Sequence, residues 1–424
     1  MVIEIARREC SWLRATEGWL LVYGRRKTGK TWLLRRCLDW DMYVTVTRGG
    51  ECIVESSGGV DTLPLADCLK AVTARVRGEE ALAVLDEFQR LPEKYWDLVA
   101  VAYQEAKGRL VLCGSSLGVS RKVFDSRSPL LGLLAPLPVR VASMSDTVAS
   151  LSRHMGPRDA VLWAVVARDP WLIPHLDFSR KPWEDLALKA EPLSMAAGGL
   201  VGEVFMEEER SLTRAYEATL RALASGEWRL SAVSQRLYSA GLVSSPAPST
   251  VTGLLGVLEG MGLVEGIRLW RTRGAKSYYR LASPAVSLLL YADEKYLSAG
   301  LQPRPEDLKA RFALEAQFAV GEVLAEYKGL RQAYTVTPEG DLDVVLLDAS
   351  GAPAIAYEVK VGAVTEAEAR RGAELARKLG VPKFGAVSLT ERPEAAWLDE
   401  AYGPEDLVEA SRRASEKALR AGNL

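Results

Sequence analysis

Residues 24–31, Gly24-Arg25-Arg26-Lys27-Thr28-Gly29-Lys30-Thr31, set two glycines five positions apart, directly ahead of a lysine and a hydroxyl. This is the G-x-x-x-x-G-K-[ST] pattern. The glycines let the backbone curl so that N–H groups face phosphate oxygens, and a following helix aims its positive end at the same place. Lys30 then reaches the β and γ phosphates of ATP, and the Thr31 hydroxyl completes the shell of a Mg²⁺ ion. Further residues carry matching chemistry. Asp86 is expected to hold Mg²⁺ through water and Glu87 to polarise the attacking water, a plain Asp-Glu helix cap being the alternative. Ser115-Ser116 closes another apolar run, where a polar residue can sense the γ-phosphate.

A second group of such residues lies near the C-terminus. Asp341-Leu342-Asp343-Val344-Val345-Leu346-Leu347 and Ala354-Ile355-Ala356-Tyr357-Glu358-Val359-Lys360 read as two strands joined at Ser350-Gly351. Centring the hairpin on that turn puts Asp343 opposite Glu358, with Lys360 on the same face. Facing carboxylates repel, and a divalent cation removes the conflict. Asp341 shares the face in strict alternation and is a substitute for Asp343. The arrangement resembles the PD-(D/E)XK restriction-endonuclease fold, matched by Asp343, Glu358 and Lys360, with Glu315 on the preceding helix. That resemblance implies Mg²⁺ held by the three carboxylates, with Lys360 orienting or activating water. A binding module that has lost cleavage is the alternative.

The elements that must position these residues follow from patterning. Trp19 to Tyr23 is a buried-type strand before the glycine loop, and a helix through Trp32, Leu33, Leu34 and Leu38 follows it. The strand Ala81–Leu85 ends in the acid pair and is expected beside the first strand. Leu110–Gly114 is a third. Beyond about residue 148 helical stretches run to about 205, with Trp163, Trp171 and Trp183 assigned to core. Helices over 211–225, 230–238 and 251–260, the last capped by Ser249, precede strands at 263–265 and 278–281. Three helices and a hairpin make a winged helix. The hairpin carries Arg268, Arg271, Arg273, Lys276 and Arg280, and the third helix opens with Ser249, Thr250 and Thr252. That combination suits duplex DNA, a packing module being the alternative.

The bounds agree with several domains in one soluble chain. A length of 424 residues exceeds one core of typical size. Formal net charge is -1, so any nucleic-acid contact must rest on a local patch. No apolar run approaches a membrane span, and the start lacks the plan of a secretion signal, so a cytoplasmic protein is expected. Two histidines leave little for a histidine zinc site or a serine–histidine triad. The five cysteines never form a C-x-x-C pair and read as buried small hydrophobes. A single asparagine, Asn423, suggests a thermophilic source, in which a disulfide inside the cell stays open.

The run from Tyr23 to Thr31, with Leu85-Asp86-Glu87-Phe88-Gln89-Arg90-Leu91 and Gly114-Ser115-Ser116 ahead of Ser128-Pro129-Leu130-Leu131-Gly132, resembles the archaeal-type ATPases. That family belongs to the AAA+-related signal-transducing P-loop ATPases, and the resemblance extends through a winged helix to a nuclease-like C-terminal domain. The chain departs from the family at Leu133, where arginine is usual, and at Arg168-Asp169-Pro170, where the lid usually has Gly-x-Pro. The expected architecture is α/β: a P-loop domain over 1–148, a helical lid over 149–208, a winged helix over 209–300 and a nuclease-like domain over 301–424. Partners implied are ATP, duplex DNA through the winged helix, and a second copy or another protein, with no membrane. The expected function is an ATP-driven, DNA-associated machine with metal-dependent cleavage. The alternative is a nucleotide switch that cuts nothing.

Overall fold

The computed structural model describes residues 3–115, 122–205 and 210–421. Ser116 lies outside them. The chain divides into two compact units, one built on Arg8–Arg140 and the other on Val141–Glu203 with Glu209–Ala421.

The first unit is a seven-stranded sheet. Its strands are β1 (Leu20–Tyr23), β2 (Met42–Val46), β3 (Glu51–Ser56), β4 (Gly59–Pro64), β5 (Leu82–Asp86), β6 (Arg109–Gly114) and β7 (Ala135–Pro138), in the order β4-β3-β2-β5-β6-β1-β7. The β2-β5-β6-β1-β7 core is parallel, and β3 and β4 add an antiparallel edge. Parallel strands are covered on both faces, which is why these sequences are apolar without alternation. Leu21, Leu85 and Leu112 face helices α3 (Leu65–Gly78) and α4 (Trp96–Gln104). Leu20, Val22, Val84 and Val111 face α1 (Glu9–Ala15) and α2 (Lys30–Cys37). The acid-bearing strand β5 is not beside β1 as expected; β6 lies between them. Of the cysteines, Cys52, Cys68 and Cys113 are buried as read, but Cys10 and Cys37 form a disulfide. Helix periodicity sets each of these two on its own inward face, and only the packing of α1 on α2 brings their Cα atoms to 5.2 Å.

The second unit opens with helices α5 (Met144–Leu151), α6 (Pro157–Ala167), α7 (Pro182–Leu188) and α8 (Ala190–Phe205). Trp163 and Trp183 are buried and Trp171 is half-buried, in keeping with core roles. Arg168 and Asp169, just past α6, have a structural use. Arg168 makes a paired contact with Glu322 at 2.8 and 3.0 Å, and Asp169 accepts from Ser283 at 2.5 Å. Then come α9 (Arg210–Ala224), α10 (Leu230–Ser239), α11 (Pro248–Gly260) and the hairpin β8 (Val264–Leu269) and β9 (Ser277–Leu281). The N-cap of α11 is Ala247 and not Ser249, because Pro248 takes the first helical position.

Beyond α12 (Pro284–Lys295) and α13 (Pro305–Lys328) lie β10 (Arg331–Thr337), β11 (Gly340–Leu347), β12 (Pro353–Lys360), α14 (Glu366–Lys378), β13 (Phe384–Ser388), β14 (Glu400–Tyr402) and α15 (Pro404–Ala421). The wing does not stand apart from this sheet. Parallel pairing of β8 with β10 gives one seven-stranded sheet, β14-β13-β12-β11-β10-β8-β9. Among the described residues no helix is long and apolar enough to cross a membrane.

Candidate functional site

Two sites emerge, one in each unit. In the first, β1 delivers the chain into the glycine loop and α2 leads away from it. Gly24 has φ +151°, and a Cβ there would lie 2.1 Å from the Val139 carbonyl oxygen. Gly29, at φ +91°, forms the left-handed step into α2. Lys27 also takes positive φ, and the Thr28 hydroxyl donates to the Arg25 carbonyl at 2.9 Å, closing the loop on itself. The buried Lys30 ammonium donates to the carbonyls of Gly24 and Arg25, both at 2.9 Å. Burial holds its pKa below the ordinary lysine value.

The Thr31 hydroxyl donates to Asp86 at 2.8 Å, so the two oxygens expected to share a Mg²⁺ ion already meet. They do so although β6 separates β5 from β1, the strand that leads into the loop. Tyr43, on β2, donates to the same Asp86 oxygen at 2.7 Å. Burial and the Asp86 charge push the Tyr43 phenol up, which keeps it a donor. Glu87 follows β5 in a left-handed conformation, φ +59°, which breaks the strand at the N-cap of a single 3₁₀ turn, Phe88–Arg90. Its carboxylate accepts from Gln89 at 2.7 Å and pairs with Arg90 at 2.8 Å. Gln89 also reaches Ser115, donating to its hydroxyl at 2.8 Å and accepting from its backbone N–H at 3.2 Å. Arg26 donates to that hydroxyl at 3.4 Å. Tyr43 and Gln89 escaped the sequence reading. Gln89 stands only two residues past the acid pair, but its bridge to Ser115 is a contact across the sheet.

In the second unit the pairing Val344↔Tyr357 runs on to bring Asp343 level with Glu358, the register expected from the turn. The Asp343 carboxylate accepts the Val359 N–H at 2.8 Å, and Lys360 pairs with Glu358 at 2.5 Å. Desolvation first, and the Glu358 charge second, push the Asp343 carboxyl up to about 7. Burial opposes the charge of Lys360, but contact with Glu358 outweighs it and raises its pKa.

Two expectations fail here. A β-bulge sets Ala333 and Thr335 of β10 against Val345 and Leu342 of β11. The extra residue breaks the alternation that aligned Asp341 with Asp343, and Asp341 instead accepts from Tyr334 at 3.1 Å. Glu315 does not join the cluster. Its buried carboxylate is taken by Arg280, by Arg311 at 3.3 Å and by the Ser287 hydroxyl at 2.7 Å. Burial opposes that charge, but the two arginines hold the carboxyl below its ordinary range.

Among the described residues no group of three or more His, Cys, Asp or Glu side chains is arranged to hold a metal ion. Two facing carboxylates are nonetheless a donor set that Mg²⁺ accepts, since it takes its remaining ligands from water and phosphate. Asp343 and Glu358 are the side chains that would hold it.

Arg280 is corrected with Glu315. It is buried against Glu265 and Glu315 and offers nothing to solvent. Arg268 is exposed, but its guanidinium lies beside Gly351 in the β11–β12 turn. Arg271, Arg273 and Lys276 are exposed on the wing loop.

No protein-family model matches the chain, and no curated protein matches its sequence significantly. Solved structures that align with it include the Aeropyrum pernix ORC2 protein in ADPNP-ADP complexes, at 15% identity, 73% of this chain, 92% of that chain and TM-score 0.38. The Aeropyrum pernix ORC1 protein in complex with DNA aligns at 16% identity over 71% of this chain and 95% of that one, TM-score 0.30. Cdc6p from Pyrobaculum aerophilum aligns at 14% identity over 67% and 91%, TM-score 0.25. Scores this low carry no functional weight.

Proposed function

We propose that this chain binds and hydrolyses ATP at the glycine loop and acts on duplex DNA, with phosphodiester cleavage at Asp343, Glu358 and Lys360. The observation that carries the ATP reading is the Thr31–Asp86 contact beside a lysine curled over its own loop. Lys30 bonds the Gly24 and Arg25 carbonyls, and phosphate oxygens are stronger acceptors for the same ammonium. Thr31 and, through water, Asp86 would hold a Mg²⁺ ion, which would supply charge stabilisation at the phosphates. Glu87 orients the attacking water once Gln89 and Arg90 release its carboxylate, and Ser115 senses the γ-phosphate.

At the second site Asp343 and Glu358 would hold the cation, and Lys360 would orient water toward phosphorus. The reading without cleavage is favoured by one observation: Glu315, the expected third carboxylate, is committed to Arg280 and Arg311. A gel assay for nicking of duplex DNA with Mn²⁺, with and without ATP, separates them. Nicking by the wild type that is lost in Lys360→Ala, with Mn²⁺ binding retained, supports cleavage. Identical traces for the two proteins leave only the switch.

A further inference from the structure

The wing and the carboxylate pair sit at the same end of one sheet. Along β10, Trp270 donates to the Tyr334 carbonyl at 2.9 Å, the Trp270 carbonyl accepts from the Thr335 hydroxyl at 2.9 Å, and Thr272 accepts from the Val336 N–H at 3.0 Å. The wing loop is therefore an extension of β8 along β10. On the other side of β10, Val336 pairs with Asp341 and Thr335 with Leu342. Next across, Asp343 accepts from Val359. The row runs Trp270–Thr272, Tyr334–Val336, Asp341–Asp343, Glu358–Lys360, one step per neighbouring strand. Three strand spacings separate the wing from Glu358, about 14 Å.

The charge along that end suits a phosphate backbone at its outer limit. A cleft of about 720 Å³ opens between the wing loop and the first turns of α10 and α11. Arg229, Arg273 and Lys276 line it with hydroxyls from Ser231 and Thr252, and no acid does. The three cations are exposed. Beside an apolar lining from Trp228, Leu230 and Pro248, those cations and hydroxyls offer donors to phosphodiester oxygens.

Resting on the duplex-binding reading of the wing, we propose that this cleft and the Asp343–Glu358–Lys360 cluster are two ends of one phosphodiester track. Duplex DNA seated at the wing then passes the cluster about four base pairs away, taking 3.4 Å per step along a strand. The wing sets where on the duplex the cluster acts. Because both ends belong to one hydrogen-bonded sheet, the offset is fixed and does not depend on nucleotide.

Tethered iron-EDTA tests this without any need for nuclease activity. The free cysteines Cys52, Cys68 and Cys113 are buried, so a reagent reports from an introduced cysteine. Ala363→Cys, exposed just past the end of β12, marks the cluster, and Ala275→Cys, between Arg273 and Lys276 on the wing loop, marks the wing without removing a cation. On one end-labelled duplex, hydroxyl-radical cuts from the two tethers should centre about four base pairs apart. Arg229→Ala with Lys276→Ala should abolish the cuts from the Ala363→Cys tether. Cuts from the wing tether alone overturn the track and leave duplex binding standing. Cuts from Ala363→Cys that survive loss of the wing cations overturn it too, since two independent sites are then present. Failure of the wild type to bind duplex removes the DNA reading itself, and the track with it.

Discussion

Glu87 and Asp343 are the side chains whose surroundings say most about their chemistry. Glu87 is held by Gln89 and Arg90, and Gln89 also holds Ser115, so the proposed base and the proposed phosphate sensor share one amide. Lys30→Ala should weaken ATP binding at least tenfold, because it removes the ammonium opposite the phosphates. Glu87→Gln should keep that affinity and lower turnover by about a hundredfold or more. Gln89→Ala should leave affinity unchanged and alter kcat, read by steady-state hydrolysis; unchanged kcat removes Gln89 from the mechanism. Asp343 has a folded pKa raised to about 7. The proton on its carboxyl therefore stabilises the fold fully below about pH 4, and that stabilisation is lost as pH rises through 7. In EDTA, melting temperature should fall across that window by the equivalent of a few kcal/mol, and Asp343→Asn should flatten the profile. With Mn²⁺ at pH 8 the wild type should recover stability and Asp343→Asn should not.

At the scale of elements, the hairpin β8–β9 has two separable roles. Arg280 points inward and ties the hairpin to α13 through Glu315, whereas Arg271, Arg273 and Lys276 face solvent. Arg280→Ala takes one of two arginines from the buried Glu315 carboxylate, which keeps Arg311 and Ser287, and should cost up to about 3 kcal/mol of stability in a denaturant melt. Replacing Arg271, Arg273 and Lys276 together by Ala should leave stability and ATP affinity unchanged. The same triple variant should weaken duplex binding and flatten the dependence of log K on log salt by up to about three contacts' worth of slope. Equal slopes for variant and wild type reduce the wing to a packing element. The sequence pattern announced the hairpin, though β8 runs on to Leu269, beyond the expected 263–265, and its partner β10 was not foreseen. The pattern could not announce which of five basic residues on the hairpin turn inward, because the partner carboxylate lies 35 residues away on another element.

At the scale of the whole molecule, each of the two compact units holds one of the two proposed sites. Calorimetry should resolve this: MgATP should raise the transition of the Arg8–Arg140 unit, and Mn²⁺ that of the other. One transition moved equally by both ligands contradicts separate sites.

The glycine loop, the Asp86-Glu87 pair and the Asp343–Glu358 register were decided by the sequence alone, because each depends on neighbours along the chain or across one tight turn. A strand–loop–helix and a hairpin are local geometries, set by glycine positions, apolar runs and turn centre. Tertiary structure alone decided that β6 parts β5 from β1, that Cys10 meets Cys37, that Gln89 joins Glu87 to Ser115, and that the wing shares its sheet with the carboxylates. It also diverted Glu315 and Arg280 into each other. Each of these is a contact between elements distant in sequence, and their order in space follows from packing whole faces together, which no local pattern records.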